Sequence, residues 1–520
     1  AFSSDRAKRA RHTVTGVSDE INATPIDPPS STGATSLGTV SGVQGMPMMT
    51  GDAYKESLKD GRLTYIDGDQ VTDPPNHPLL KTAVGVAARV YDSFYSPEPG
   101  AFNPAYIIPK SLDEYRERAA KLSKGVTDMT LGTTGVTLLA LTSAAATLGK
   151  VNPAYRDRIY AYVDYCKEND LRCAEVITDS KGHRKKRPNK QSDPDFYVHV
   201  VDRNDKGIFI TGAKMHISAS SIEHELVIMP TKAMYPGEED YAIACAVPVN
   251  ARGVSIIDMT YAPRNDDVRH YPVSGKVNCP EGFVIFDNVF VPNERVFLDG
   301  ETAHAATLAH SLGLWERAAG LGDAGEHADR EVGMAALLAE ANGMAEDPRI
   351  KDQLATLVVY ATMCRAAGEA AMVNATQTAD GNMMPSPLFV SALKYFKSEF
   401  RAKLLDIQHD IAGDQLVNAP TVADFEHPDL HDGLAAMFAA PGFAPADRMR
   451  LFHYVRDTTA DAYGGWAFVT GQLAGGGQHA QRIVTMRQYD MEHAKDIARR
   501  AVGIGKYAKK GEDNWTPLSL

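Results

Sequence analysis

The chain has 520 residues, of which 44% are apolar and 23% charged, and its formal net charge is −12. That length can bury a large core and predicts two or three domains. An acidic balance argues against nucleic-acid binding, which needs a basic face to neutralise phosphates. The dense basic run KGHRKKRPNK (181–190) is interrupted by Gly and Pro and reads as a solvated loop.

In chain order, residues 1–48 are rich in Ser, Thr, Gly and Pro and read as a mobile arm or a strap over another subunit. They carry Arg6, Lys8, Arg9 and Arg11 but no apolar stretch of the secretory kind. A short helix and an extended segment at Tyr65–Ile66 follow, and residues 79–170 show helical spacing. No apolar run is read as reaching the roughly 18 residues of a membrane helix. Near 171 the period changes. FYVHVV, GIFITGA, ELVIMP, YAIACAVPV, VSIIDM and FVIFDNVFVP are strand-length runs separated by turn residues. After about 300 helical spacing returns. The expected class is α+β: an N-terminal helical domain (49–170), a middle β domain (171–300) and a C-terminal helical domain (301–520) built on a four-helix bundle.

GLGDAG (320–325) spells a dinucleotide fingerprint, but a helical stretch precedes it where that fingerprint needs a strand. It reads as a helix break. Five cysteines, at 166, 173, 245, 279 and 364, form no C-x-x-C, which suits reduced thiols in a cytoplasmic protein and no metal site. His310 and Arg317 stand two helical turns apart and can face one cavity, although either alone is more often a surface residue. HDIAGDQLVNAPTVADF (409–425) and TGQLAGGGQHAQR (470–482) read equally as helix ends or as backbone amides open to a cofactor. ITGAKMHISASSIEHELVIMP (210–230) places Ser218, Ser220 and Ser221 between two apolar strands. A turn explains that, and so does a bound group that needs hydroxyls.

Five blocks carry a family resemblance: TGDAYKESLKDGRLTYIDGDQVTDPPNHP, GIFITGAKMHISASSIEHELVIMPTKAM, FDNVFVPNERVF, QHDIAGDQLVNAPTVADF and AGGGQHAQRIVTMRQYDMEHAKDIAR. In this order, over about 48–505, they resemble the 4-hydroxyphenylacetate 3-hydroxylase family, and most of all its 4-hydroxybutyryl-CoA dehydratase branch. The resemblance implies an acyl-CoA-dehydrogenase-like fold and a homotetramer binding FAD between domains and subunits. It implies flavin contacts at Val176, Thr178, Asp179, His216, Ser218 and Ser220, and further contacts from the helices at Asp410, Gly413, Gln415, Thr470, Gln472 and Ala474.

Departures separate the family's two chemistries. The dehydratase branch holds an iron–sulfur cluster on three cysteines and a histidine. His310 matches the histidine, but MTLGTTG (129–135) lacks two of the cysteines and Arg317 replaces the third. Thr470 stands where that branch has a glutamate base. What the resemblance then implies is a monooxygenase or oxidase that takes FADH2 from a separate flavin reductase. It reacts with O2 through a flavin C4a-hydroperoxide, with His310 and Arg317 as catalytic residues and no metal. The arginine, tyrosine and histidine with which the oxygenase branch handles a phenol are also missing, so the implied substrate is a specialised small molecule. The alternative is a cluster-less dehydratase or isomerase acting on an acyl-CoA thioester.

Overall fold

The computed structural model describes residues 48–507 except 126, 127, 266, 320, 322 and 323. The predicted arm, but for Met48, lies outside the described residues, as do Gly320, Gly322 and Asp323 of the GLGDAG run.

The first described part is helical: α1 (Gly51–Ser57), α2 (Lys81–Phe94), α3 (Leu112–Leu122), α4 (Met129–Gly149) and α5 (Pro153–Glu168). Four of the five start at a side-chain cap. Thr50, Ser111, Asp128 and Asn152 accept backbone amides as N-caps of α1, α3, α4 and α5. By length and composition α4 could cross a membrane, contrary to the sequence expectation, but 78% of its apolar window is buried within the protein. It packs on α5, on a strand and on the first helix of the C-terminal part. Its Thr and Ser side chains make it too polar to stand out by eye. Thr142 Oγ1, for example, donates to the Leu138 carbonyl one turn back at 2.9 Å.

Two sheets face each other in the middle part. One has the order β2-β1-β8-β9-β5-β4 and the other β10-β7-β6-β3. The strands are β1 (Thr64–Ile66), β2 (Asp69–Val71), β3 (Cys173–Val176), β4 (His199–Asn204), β5 (Gly207–Ser218), β6 (Glu225–Ile228), β7 (Ile243–Pro248), β8 (Val254–Met259), β9 (Glu281–Pro292) and β10 (Val296–Asp299). Alternate residues of both sheets (Val176, Ile210, Ile228, Val247, Ile256 and Val284 among them) meet in one core. Every strand-length run noted in the sequence is a strand. The difference lies at the boundary: β1 and β2, from the segment assigned to the helical domain, form the edge of the six-stranded sheet, with β1 parallel to β8. Three residues per strand carry too little periodicity to declare that pairing.

Helices return with α6 (Ala305–Ala318), α7 (Ala324–Ala341), α8 (Pro348–Val373) and α9 (Pro387–Ala412). Four short or medium helices follow: α10 (Gln415–Asn418), α11 (Val422–Glu426), α12 (His431–Met437) and α13 (Pro445–Thr459). The chain then forms α14 (Ala462–Leu473), α15 (Gln478–Gln488) and α16 (Met491–Val502). The long helix α9 packs against α7, α8 and α15. A stack of Tyr360 on Phe400, with centroids 4.4 Å apart, ties α8 to α9.

Candidate active site

A cavity of about 280 Å³ opens where three elements converge. The start of α4 contributes Asp128, Met129 and Thr130. The segment leading into β9 contributes Val277, Asn278 and Cys279, and α14 contributes Tyr463, Trp466, Ala467, Thr470 and Gly471. The walls are mostly apolar or aromatic, with a few polar tips, which is the usual composition of a small-molecule site. Asn278 is buried, and neither its Oδ1 nor its Nδ2 has a hydrogen-bond partner among the described residues. Buried amides are rarely left so, and one lining a cavity is aimed at a ligand.

From this cavity a strip of half-open surface leads along β5. Trp466 Nε1 donates to Glu281 Oε1 at 2.8 Å, and Ser218 Oγ donates to the same carboxylate at 3.0 Å. Burial raises the Glu281 carboxyl above the ordinary carboxylate range, and these two donors oppose it. Further along, the β5–β9 register shifts between Lys214 and Ile217, and His216 adopts φ 60. A bulge with a non-glycine residue in the left-handed region turns the side chain of His216 outward, the kind of strain found at functional sites. Met215 N donates to the Thr178 carbonyl at 2.7 Å, which joins the end of β3 to the bulge.

A second cavity, about 170 Å³, shares Gly471 with the first. Glu316, Arg317, Lys394, Lys397, Arg401 and Tyr360 are among its lining residues. Arg317 Nε donates to the Gly475 carbonyl at 2.7 Å, and Gly475 N donates to Glu316 Oε2 at 2.9 Å. Gly475 and Gly476, with φ 72 and 89, supply that close approach in a conformation other residues rarely adopt. Burial, and the facing Glu316, hold Glu175 well above the ordinary carboxylate range. Burial raises the Glu316 carboxyl as well, while its contact with Glu175 and the Gly475 amide oppose that rise.

The structure brings some of the sequence-predicted residues together. Thr178 and the 214–218 stretch lie side by side, Ser218 reaches Trp466 through Glu281, and Thr470 lines the first cavity. Two are turned inward instead. Asp179 is consumed by the protein: it pairs with the buried Lys214 Nζ at 2.8 Å and accepts from Val198 N and Thr231 Oγ1. Ser220 is wholly buried under β9, where a Cβ on Gly282 would collide with its Oγ. Neither side chain can contact a cofactor, because alternation along the chain says which residues share a face but not which face a bulge leaves open. Val176 is likewise a core residue of β3.

Asp410, Gly413 and Gln415 line neither of the two cavities within one chain. Gly413 caps α9 with φ 68 as its spacing predicts, and Asp410 accepts from Gln353 Nε2 at 2.7 Å. They follow Leu404, a residue of α9 that lines the second cavity, by six or more positions, about 9 Å of helix or more. Gln472 and Ala474, at the end of α14, are half-buried beside the glycine turn. On α6, Arg317 reaches the second cavity while His310 is exposed on this chain. Partial desolvation, then the charges of Arg487 and Arg317, lower the His310 pKa and keep the ring neutral at pH 7. Trp315, their neighbour, points the other way and donates to Ser143 Oγ at 2.8 Å in the core.

The sequence reading missed Glu175, Glu281, Glu316, Asn278, Lys394, Arg401 and Trp466. The signal available for two of them is a carboxylate placed inside or against an apolar strand, as in CAEV (173–176) and PEGFVIF (280–286).

The family described as 4-hydroxyphenylacetate 3-hydroxylase matches this chain twice, through its N-terminal part over residues 50–298 and its C-terminal part over 305–503. The chain belongs to the 4-hydroxyphenylacetate 3-hydroxylase family. Within it, the chain is 27% identical to the 4-hydroxybutyryl-CoA dehydratase/vinylacetyl-CoA-Δ-isomerase of Clostridium aminobutyricum, over 88% of this chain and all of that one. It is also 27% identical to the 4-hydroxyphenylacetate 3-monooxygenase oxygenase component of Thermus thermophilus, over 80% and 89% of the two chains. A solved oxygenase component of 4-hydroxyphenylacetate 3-monooxygenase, complexed with FAD and 4-hydroxyphenylacetate, superposes with a TM-score of 0.77 at 25% identity. That match covers 87% of this chain and 98% of the other. The acyl-CoA-dehydrogenase-like architecture expected from the sequence is the architecture of the family and of this chain.

Proposed function

We propose that the chain is the oxygenase component of a two-component monooxygenase that takes reduced FAD from a separate reductase and acts with O2 on a specialised small molecule. The observation that carries this reading is the wall between α4 and α6. On α4 the Thr and Gly residues of 129–135, and on α6 Arg317, stand where the resemblance implies that the dehydratase branch needs thiolates. The five cysteines are all buried, and four stand elsewhere: Cys166 and Cys173 face each other at 3.6 Å in the core, Cys245 is on β7 and Cys364 on α8. Cys279 borders the first cavity, and one thiol cannot hold a cluster. Purified protein is therefore expected to contain neither iron nor acid-labile sulfide. Stoichiometric iron by metal analysis would refute this.

The site suits a flavin. The unpartnered Asn278 amide, the Trp466 indole and the Ser218–Glu281 pair offer polar tips around a ring-sized, apolar slot. Thr178, the His216 bulge, Ser218 and Trp466 would hold the ring system. The cofactor supplies electrons for the activation of O2. Around it, Tyr463, Thr470 and Asn278 orient the substrate and exclude water, Arg317 offers a fixed cation and Glu316 shares a proton with Glu175. Ser218→Ala is expected to weaken FAD binding by about 1 kcal/mol, roughly five-fold. Unchanged affinity for oxidised and reduced FAD would remove Ser218 from the cofactor site.

Asp410, Gly413 and Gln415 act in this reading on the flavin of a neighbouring copy. The exposed apolar residues of the C-terminal helices, Val359 at 62% and Leu473 at 53% exposure among them, support assembly into the homotetramer expected from the resemblance. The free thiols support a cytoplasmic setting. The decisive experiment supplies reductase, FAD, NADH and ¹⁸O2 with a panel of small aromatic and acyl substrates. Label in the product supports the reading, and turnover that needs no O2 sinks it. One observation favours the cluster-less dehydratase or isomerase, namely the Glu175–Glu316 pair, which can move a proton beside a thioester. Anaerobic deuterium uptake into an acyl-CoA would select it.

A further inference from the structure

The second cavity carries more positive charge than its neighbours neutralise. Arg317, Lys394, Lys397 and Arg401 border it, and Glu316 is the one carboxylate among its described lining residues. The hydrogen bonds these cations make are to neutral groups: Arg317 Nε to the Gly475 carbonyl, and Lys394 Nζ to the Gly471 carbonyl at 2.8 Å. Arg401 stacks over Phe468 at 5.6 Å, and its buried Nε has no hydrogen-bond partner among the described residues. Glu331, a further carboxylate close to Arg401, is engaged by Gln408 Nε2. Glu316 already accepts the Gly475 amide. Burial and then the charge of Lys397 hold Lys394 down to about 8, the mark of cations crowding one another.

Half-buried cations that outnumber their counterions are costly, and a fold that gathers four of them around one small volume keeps that volume for an anion. A lone carboxylate would satisfy one guanidinium fork. Two forks and two ammonium groups match a group with two charges and three free oxygens. Gly471 borders both cavities, so the ring slot and the cationic one are neighbours.

We propose that the second cavity is an anion subsite that receives a phosphate group carried by the substrate, while the substrate's reacting part lies in the first cavity. The proposal rests on the reading of the first cavity as the reaction site.

The test is calorimetric titration of the FAD-loaded protein with inorganic phosphate and, separately, acetate, at fixed ionic strength. Phosphate should bind at least about ten-fold more tightly than acetate, and Arg401→Gln should lose about ten-fold in phosphate affinity. Lys397→Gln, less buried, should show a smaller loss in the same direction. FAD affinity and melting temperature should stay near wild type in at least one of the two variants. Phosphate binding no tighter than acetate, or unchanged in both variants, would overturn the subsite. Loss of FAD affinity parallel to loss of phosphate in both would assign these cations to the cofactor's diphosphate and overturn it too. The oxygenase reading fails separately: a protein that prefers phosphate but transfers no ¹⁸O keeps the subsite and loses the monooxygenase.

Discussion

Arg317→Ala is expected to keep the fold and bind FAD normally while product formation falls by about a hundred-fold or more and hydrogen peroxide appears in its place. Arg317 is held by its Nε bond to the Gly475 carbonyl, and the guanidinium lines the second cavity. With the second cavity holding the substrate's phosphate, this cation positions the reacting part in the first cavity, and losing that orientation costs on the order of a hundred-fold in rate. Without it, reduced flavin still consumes O2, and the electrons leave as peroxide. The Nε bond joins α6 to the glycine turn, but Gly475 N still donates to Glu316, so the turn keeps one anchor in the variant. The measurement is product formed and peroxide released per NADH oxidised. Wild-type coupling in the variant would remove Arg317 from the reaction. His310, exposed and neutral at pH 7, should show a smaller loss on replacement by Ala.

The second large effect is on stability. Arg172→Met is expected to cost about 3–5 kcal/mol, the usual result of removing one partner from a buried ion pair. Arg172 is 2% exposed, with Nη1 3.3 Å from Asp128 Oδ2 and in contact with the Thr130 hydroxyl. Its guanidinium lies over Tyr91 at 4.7 Å and Tyr54 at 5.6 Å. Methionine fills much of the volume but leaves Asp128 charged and buried. Asp128 also caps α4 by accepting Leu131 N at 2.8 Å, and it borders the first cavity. The same variant should therefore loosen ligand binding there. Urea unfolding monitored by far-UV circular dichroism reads the first effect. A shift worth less than about 1 kcal/mol would mean that Asp128 finds another partner or water.

Much of this protein is legible in its sequence. Strand-length apolar runs from 196 to 292, flanked by helical spacing, are enough for the α+β class, since the two periods sort themselves along the chain. Gly413 and Gly475–Gly477 mark helix ends because only certain backbones can turn there. The lost cluster ligands are visible as letters, in MTLGTTG and at Arg317, once the family blocks are seen.

What the chain's spacing could not decide is which polar residues meet. Glu175 and Glu316 are 141 positions apart, and Trp466 reaches Glu281 across 185. No local period encodes such pairs. Their carboxyls acquire altered proton affinity only when packing removes water around them. Ser218 and Ser220 look alike in sequence, yet one faces the cavity strip and the other is sealed beneath Gly282. The bulge at His216 separates them, and it exists because β5 must stay in register with β9 on both sides of it. Periodicity determined the elements and the five blocks carried the resemblance to the family, because both are read locally along the chain. The site was decided by tertiary structure, because desolvation, pairing and the opening of a cavity belong to groups brought together from distant segments.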